Sequence, residues 1–364
     1  MEIKEKKKIF FFFKNKNKNN LLSKKLTTKR IKYDIFIDIT YYFSVIHDKI
    51  KNILIFNGKH PSNFIQEGKS YKKLGNINVS NIKKISNGFK HTLILTKDNK
   101  LYAFGENKDG KCGIDPYKYT IINLPMEIKY FKNIIDISCL SNTSFILLEN
   151  GELYFFGEWS KTHIPGKIMI PNTISNKFIK IFSSISYITL LDESGKIYRF
   201  LENIYSPNFP RFKHLSEFND NIENFFFTNN DRYYILFKND IIYEKYEYSK
   251  DPIKYKIPSF IQIEPGEHII KIYSNMCGTI YLTTKSIYVD GRVECIFDNK
   301  KKKYEINFFR NKNIINFKML HKTMMTISKD GIVYGLGNNN FIRTLNENKE
   351  IEYKYDSPII LYSS

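Results

Sequence analysis

The chain has 364 residues, with 57 Lys and Arg against 37 Asp and Glu and a formal net charge of +20. Its 42% hydrophobic and 16% aromatic content can fill a core, which excludes wholesale disorder. A single Ala, Ala103, among abundant Ile, Phe and Tyr argues against helical bundles, and no apolar run approaches the roughly 18 residues of a membrane span.

Residues 1–32 hold 12 Lys and Arg against two Glu, which is half of the net charge. The Lys and Asn run at 14–20 has no periodicity, so 1–32 is expected to be a disordered basic tail. Such an arm suits nucleic acid or an acidic surface, or serves as an organelle address. Only seven of the cations are Arg, the better fork for phosphate, and a general bias toward Lys, Asn, Ile, Phe and Tyr is the simpler source of the charge.

From residue 33 onward the chain repeats. In the unit at 82–113 a short apolar strand (82–86) leads to a Gly turn. A second strand (92–96) meets Lys97-Asp98-Asn99, and a third (100–104) runs into a Gly, Asn and Asp loop. The same order returns at 134–159, 178–203, 222–245, 268–291 and 314–339, with a weaker copy at 35–58. Anchored on Phe104, the equivalent positions are Phe56, Phe156, Phe200, Lys245, Asp290 and Leu336, about 47 residues apart on average. Hairpin residues recur before the third strand as Asp98-Asn99, Asn150-Gly151, Ser194-Gly195, Asn239-Asp240 and Asp330-Gly331. Further short strands follow Pro125, Pro165 and Pro252.

Seven units of about four short strands predict an all-β fold: a seven-bladed β-propeller of antiparallel blades over 33–364, behind the tail at 1–32. A helical array of similar period is the alternative, and the β-branched strands and hairpin turns count against it. The first unit shows no outer strand, while 357–362 reads as a strand after Pro358. The terminal strand is therefore expected to join the first blade and close the ring.

The unit at 82–113 resembles the repeat of the regulator of chromosome condensation family, a seven-bladed propeller. The resemblance rests on Gly88, His91, Tyr102, Phe104, Gly105, Asn107, Gly110 and Gly113. Gly151, Tyr154 and Gly157, and then Gly331, Tyr334 and Gly337, match it less fully. The other four units keep mainly the strand pattern. The positions equivalent to His91 are Thr143, Tyr187, Arg232 and Thr323, so His91 reads as a structural, hydrogen-bonded residue. What the resemblance implies is a protein-binding propeller, or guanine-nucleotide exchange on a small GTPase. Exchange would call for a protruding wedge, for which loops 161–173 and 297–305 are the longest polar candidates.

No residues are expected to be catalytic, cofactor-binding or metal-binding. Cys112, Cys139, Cys277 and Cys295 form no CxxC pair, which suits free thiols in a reducing, intracellular setting, cytoplasmic or nuclear. The Asn78 and Asn142 glycosylation patterns are chance matches in an Asn-rich chain. Gly105 to Cys112 matches the GxxxxGK spacing of a phosphate loop, but Gly113 and Pro116 oppose the helix such a loop opens. The expected function is a monomeric, non-catalytic scaffold for protein partners. Exchange on a small GTPase, with chromatin association through the tail, is the alternative.

Overall fold

The structure is a computed structural model. It describes residues 33–40, 42–158, 160, 162–174, 176–183, 188–201, 211–216, 222–227, 232–237, 242–246, 253–255, 257–275, 278–291, 303–320, 323–338 and 354–363. The tail at 1–32, the turn at Asn239-Asp240, Cys277, Cys295 and most of loop 297–305 lie outside these residues.

Seven four-stranded antiparallel sheets follow one another along the chain, with a small two-stranded sheet between the first two. The second sheet shows the plan: strands Ile82–Asn87, His91–Thr96, Leu101–Glu106 and Ile121–Ile128 pair in order. The first strands of the seven blades are Ile35–Ile39, Ile82–Asn87, Ile134–Leu140, Phe178–Ser183, Ile222–Phe227, Ile269–Asn275 and Ile314–Leu320. First strands touch from blade one to two, two to three, three to four, five to six and six to seven, and the seventh touches the first. The fold is a seven-bladed β-propeller with these strands innermost.

Blades pack face to face through β-branched and aromatic side chains. Between the first three lie Phe43, Leu54, Phe56, Leu93, Leu95, Phe104, Ile137, Ile146 and Phe156, all buried. Each fully buried residue of this kind contributes about 1.5–3 kcal/mol relative to exposure. The turns use the residues read from the sequence: Asn99 takes φ 62° and Gly151 takes φ 86°.

Two expectations about the ends are corrected. The first blade has its own outer strand, Ser70–Tyr71, with Leu54 opposite Tyr71. The terminal strand, Lys354–Ser363, pairs with Ile332–Asn338 of the seventh blade, with Tyr334 opposite Ile360. The edge beside Ile53–Gly58 is already taken, whereas the edge beside Ile332–Asn338 stays open until the chain returns. The ring closes through packed faces, where Ile37, Ile46 and Ile55 meet Met325, Ile327 and Val333, with Leu361 and Tyr362 against them.

Two register features were not read from the sequence. A bulge recurs at one place in six first strands, skipping Lys83, Ile135, Ile179, Glu223, Ile270 and Ile315. In blade one, Phe43 pairs with Gly58 and Ser44 with Asn57, as His91 pairs with Gly105 and Thr92 with Phe104. Asn57, not Phe56, therefore stands where Phe104 does, because the turn after Asp48 is one residue longer.

Candidate functional site

The residues that carry the family resemblance converge between blades two and three. The second strand brings in His91, the third ends in Gly105, and the loop that follows holds Asn107, Gly110 and Lys111. Ser144 faces them from blade three. Its hydroxyl donates to the Lys111 carbonyl at 2.7 Å. With that proton committed, Ser144 Oγ accepts from His91 Nε2–H at 2.9 Å. His91 Nδ1 has no hydrogen-bond partner among the described residues. Burial first, then the charge of Lys111, pull the His91 pKa down to about 3, so the ring is neutral.

Lys111 is only 1% exposed. Its ammonium donates to Glu106 Oε2 at 2.7 Å and to Asn142 Oδ1 at 2.9 Å. Burial pushes the Glu106 carboxyl up, but the hydrogen bond and charge of Lys111 outweigh it and hold the group below the usual range. Asn107 ties the loop by donating to the carbonyls of Ile114 and Tyr119 and accepting from the Cys112 amide. A Cβ on Gly105 would sit 2.5 Å from the Lys90 carbonyl, and one on Gly88 would sit 2.1 Å from the His91 ring. These glycines are there for close approach.

This is a stitch between blades, with His91, Lys111 and Ser144 buried in it. The phosphate-loop spacing is likewise spent internally: Lys111 faces Glu106, and the amides of Gly110, Cys112 and Gly113 bond within the loop. Burial pushes the Cys112 thiol far up and that of Cys139 up to about 12, so both are unreactive.

Of the other expected signature residues, Gly157 lies against Lys111 and so borders this cluster. Gly151 sits in the blade-three turn, Tyr154 donates to Glu152 at 3.0 Å, and Gly157 faces the Asn142 carbonyl. Gly331 occupies the blade-seven turn, Tyr334 is buried against Phe308 and Phe309, and Gly337 pairs with Thr323. Tyr102 is half-buried, and burial raises its pKa.

Sequence reading missed several inter-blade contacts. His60 inserts between blades one and two, stacked on Phe104 with centroids 4.7 Å apart, and its pKa falls to about 3 through burial. Its Nδ1 accepts the Ser62 amide, so its Nε2–H is directed at Thr92 Oγ1. Asp136 accepts from the amides of Ile137 and Ile181 at 3.0 Å each and pairs with Lys84, joining blades two, three and four. Only the alternation of polar residues in the first strands hinted at this.

Among the described residues no three His, Cys, Asp or Glu side chains stand close enough to share a metal ion. No helix there is long and apolar enough to cross a membrane. An open depression is lined by Lys132, Asn133, Leu148, Glu149, Asn150 and Lys177, which bring no nucleophile and base together.

Residues 82–111 and 98–147 match sequence profiles of the regulator of chromosome condensation (RCC1) repeat. Over 126 residues the chain is 25% identical to the secretion-regulating guanine nucleotide exchange factor of Bos taurus, covering 32% of this chain and 27% of that protein. Over 83 residues it is 33% identical to the guanine nucleotide exchange factor SRM1 of Saccharomyces cerevisiae, covering 22% of this chain and 17% of that protein. The chain thus aligns with about a quarter or less of these relatives. The crystal structure of Prp20p from Saccharomyces cerevisiae, described with its binding to Gsp1p and histones, superposes with a TM-score of 0.62 at 14% identity. That likeness covers 91% of this chain and 88% of Prp20p, and it concerns the fold.

Proposed function

We propose that this chain, a repeat protein of the RCC1 type, is a non-catalytic propeller scaffold that binds protein partners through its faces. One observation carries the reading. The titratable groups of the best-preserved repeat, His91, Lys111, Glu106 and Cys112, are turned into the blade interface and occupied there. A reaction needs such groups aimed at an open site, whereas a scaffold needs them to hold blades rigid. The free, buried thiols of Cys112 and Cys139 suit a reducing, intracellular setting. The tail at 1–32 adds a basic arm for nucleic acid or an acidic surface, and the body acts as a monomer.

A second reading is guanine-nucleotide exchange on a small GTPase. It is favoured by the names of two relatives, both exchange factors. Affinity capture on the full chain, followed by a nucleotide-release assay on any GTPase recovered, separates the two. The scaffold reading expects saturable binding of a purified partner with unchanged GDP release. Accelerated release would replace it with the exchange reading.

A further inference from the structure

The strands of every blade follow one another in the same antiparallel order, so the turns between second and third strands and the connectors between blades lie at one end of the propeller. A recurring bond marks that end. The amide that opens the turn donates to the carbonyl just ahead of the first strand, from Lys97 to Asn81 at 2.8 Å, Glu149 to Asn133 at 2.9 Å and Lys329 to Asn313 at 2.8 Å. Blades one, four and six form the same bond. Turns also reach the connector of the next blade: Asn99 holds Ile134, and a Cβ on Gly151 would stand 3.2 Å from Lys177.

From this end project exposed apolar side chains: Ile50 on a turn, and Tyr130, Met169, Ile263 and Phe308 on four connectors, with Met169 71% exposed. Ile179 and Ile315 join them from the bulges at the feet of two first strands. Lysines stand among them. Lys83, Lys129, Lys132, Lys177, Lys196 and Lys329 are exposed and have no ion pair among the described residues. Lys51, Lys97 and Lys312 lie only against a ring or a carbonyl, so their charge is also uncompensated. The exposed acids here without a basic partner are fewer, Glu149, Glu193 and Asp330, while Asp48, Asp192 and Glu267 are buried beneath the turns. The first strand starts at this end with Ile35, so the basic residues 1–32 join the body here. The described loops at the other end, 58–69 and 106–120, hold lysines and acids in nearly equal number.

Ile, Met and Phe side chains gain nothing from a phosphate backbone, which is held by polar and charged groups. A protein anchored in a pocket would need them gathered, and here they are spread from blade to blade. A bilayer uses both kinds of group in this arrangement. Its anionic headgroups attract the ammonium groups, and the acyl boundary a few ångströms below takes up the apolar side chains between them. We propose that this end of the propeller docks on an anionic lipid bilayer, with Tyr130, Met169 and Phe308 entering the headgroup layer and Lys129, Lys132 and Lys177 meeting the lipid charges. The proposal does not depend on the scaffold reading, and it leaves the other end of the ring free for protein partners.

The test is co-sedimentation of the full chain with vesicles of phosphatidylcholine and phosphatidylserine, and with vesicles of phosphatidylcholine alone, at constant ionic strength. The wild type is expected to bind the first saturably and the second about tenfold or more weakly. The double variant Tyr130→Ser with Met169→Ser should lose about tenfold in affinity for the anionic vesicles while binding duplex DNA and polyglutamate as the wild type does. Lys132→Gln with Lys177→Gln should also weaken vesicle binding. Tyr117→Ser, a fully exposed residue of the other end, should leave it unchanged. All these positions are exposed, and melting temperatures confirm that each variant is folded. Absence of vesicle binding by the wild type overturns the proposal. Wild-type vesicle affinity in the Tyr130 and Met169 variant also overturns it, and assigns the attraction to residues 1–32. Loss of DNA or polyglutamate binding in step with vesicle binding would give this end to that partner instead.

Discussion

Tyr362 donates its phenolic proton to Asp48 Oδ2 at 2.9 Å, across a sequence separation of 314 residues. The contact links the last strand of blade seven to the second strand of blade one. Burial and then Asp48 raise the pKa of the phenol. Asp48 Oδ1 also accepts from the amides of Ile50 and Lys51 at 2.9 and 2.8 Å. Tyr362→Phe is therefore expected to cost about 1 kcal/mol, and Asp48→Ala about 2–3 kcal/mol, because the latter also strips the turn. Denaturant midpoints measure both, and equal effects would contradict the turn-holding role.

Removing 357–364 takes away most of the outer strand of blade seven. The edge of Ile332–Asn338, and the apolar patch of Met325, Ile327 and Val333 against which Leu361 and Tyr362 pack, would then be uncovered. A large fall in melting temperature is expected. Removing 1–30 should leave the melt within a degree or so of the intact chain, since a segment without apolar periodicity supplies no core.

Asn99 uses its side-chain amide as a strand would use its backbone. Nδ2 donates to the Ile134 carbonyl and Oδ1 accepts the Ile134 amide, both at 2.8 Å. The residue also sits at φ 62°, which Gly tolerates and Ala does not. Asn99→Gly should cost about 1–2 kcal/mol for the lost pair of bonds, and Asn99→Ala about 1 kcal/mol more for the backbone. Thermal melts of the two variants give the order directly, and a more stable Ala variant would rule out the backbone part.

The architecture was legible because the strand pattern is written locally. Ile and Phe fall on pleated positions, and Asn99, Gly151 and Gly331 mark turns that only such residues close. Register was harder to read. Phe56 looks like Phe104 in sequence, yet one extra turn residue puts Asn57 in that place. The terminal strand pairs with blade seven and not with blade one as its sequence suggests, because the two-residue strand Ser70–Tyr71 that fills blade one is too short to carry a pattern. Among the signature residues, His91 is read from the sequence as structural and hydrogen-bonded, and its partner Ser144 lies 53 positions away in a unit that keeps no His. Contacts between repeats depend on which face each strand presents, and a bulge, invisible to periodicity, sets that face.

The buried Lys111 pairs with the half-buried Glu106, and the two depend on each other. Lys111→Met leaves the half-buried Glu106 carboxylate with only the more distant Lys90 and should cost about 2 kcal/mol. The double variant with Glu106→Gln should recover a good part of that loss. A double-mutant cycle measures the coupling. Additive costs would mean that the pair is not a unit. No nucleotide binding is expected to change, because the Lys111 ammonium is already shared by Glu106 and Asn142.

The buried histidines set the response to acid. His60 and His91 have their pKa values drawn down to about 3, and His47 to about 4, in each case chiefly by burial. In the unfolded chain each titrates near 6.5, so below that pH the unfolded state binds protons that the folded state refuses. Their contribution to stability is whole above about pH 6.5 and is lost as the pH falls toward 4, by up to about 1.4 kcal/mol per pH unit for each ring. Ordinary carboxylates are still mostly ionised above about pH 5, so the window between about 5 and 6.5 belongs chiefly to the histidines. The melting temperature should therefore fall steadily from about pH 6.5 to 5. His60→Leu should flatten that slope by about a third, whatever it does to the absolute melt. A flat profile across the window, or an unchanged slope in the variant, would mean that these rings do protonate within the folded propeller.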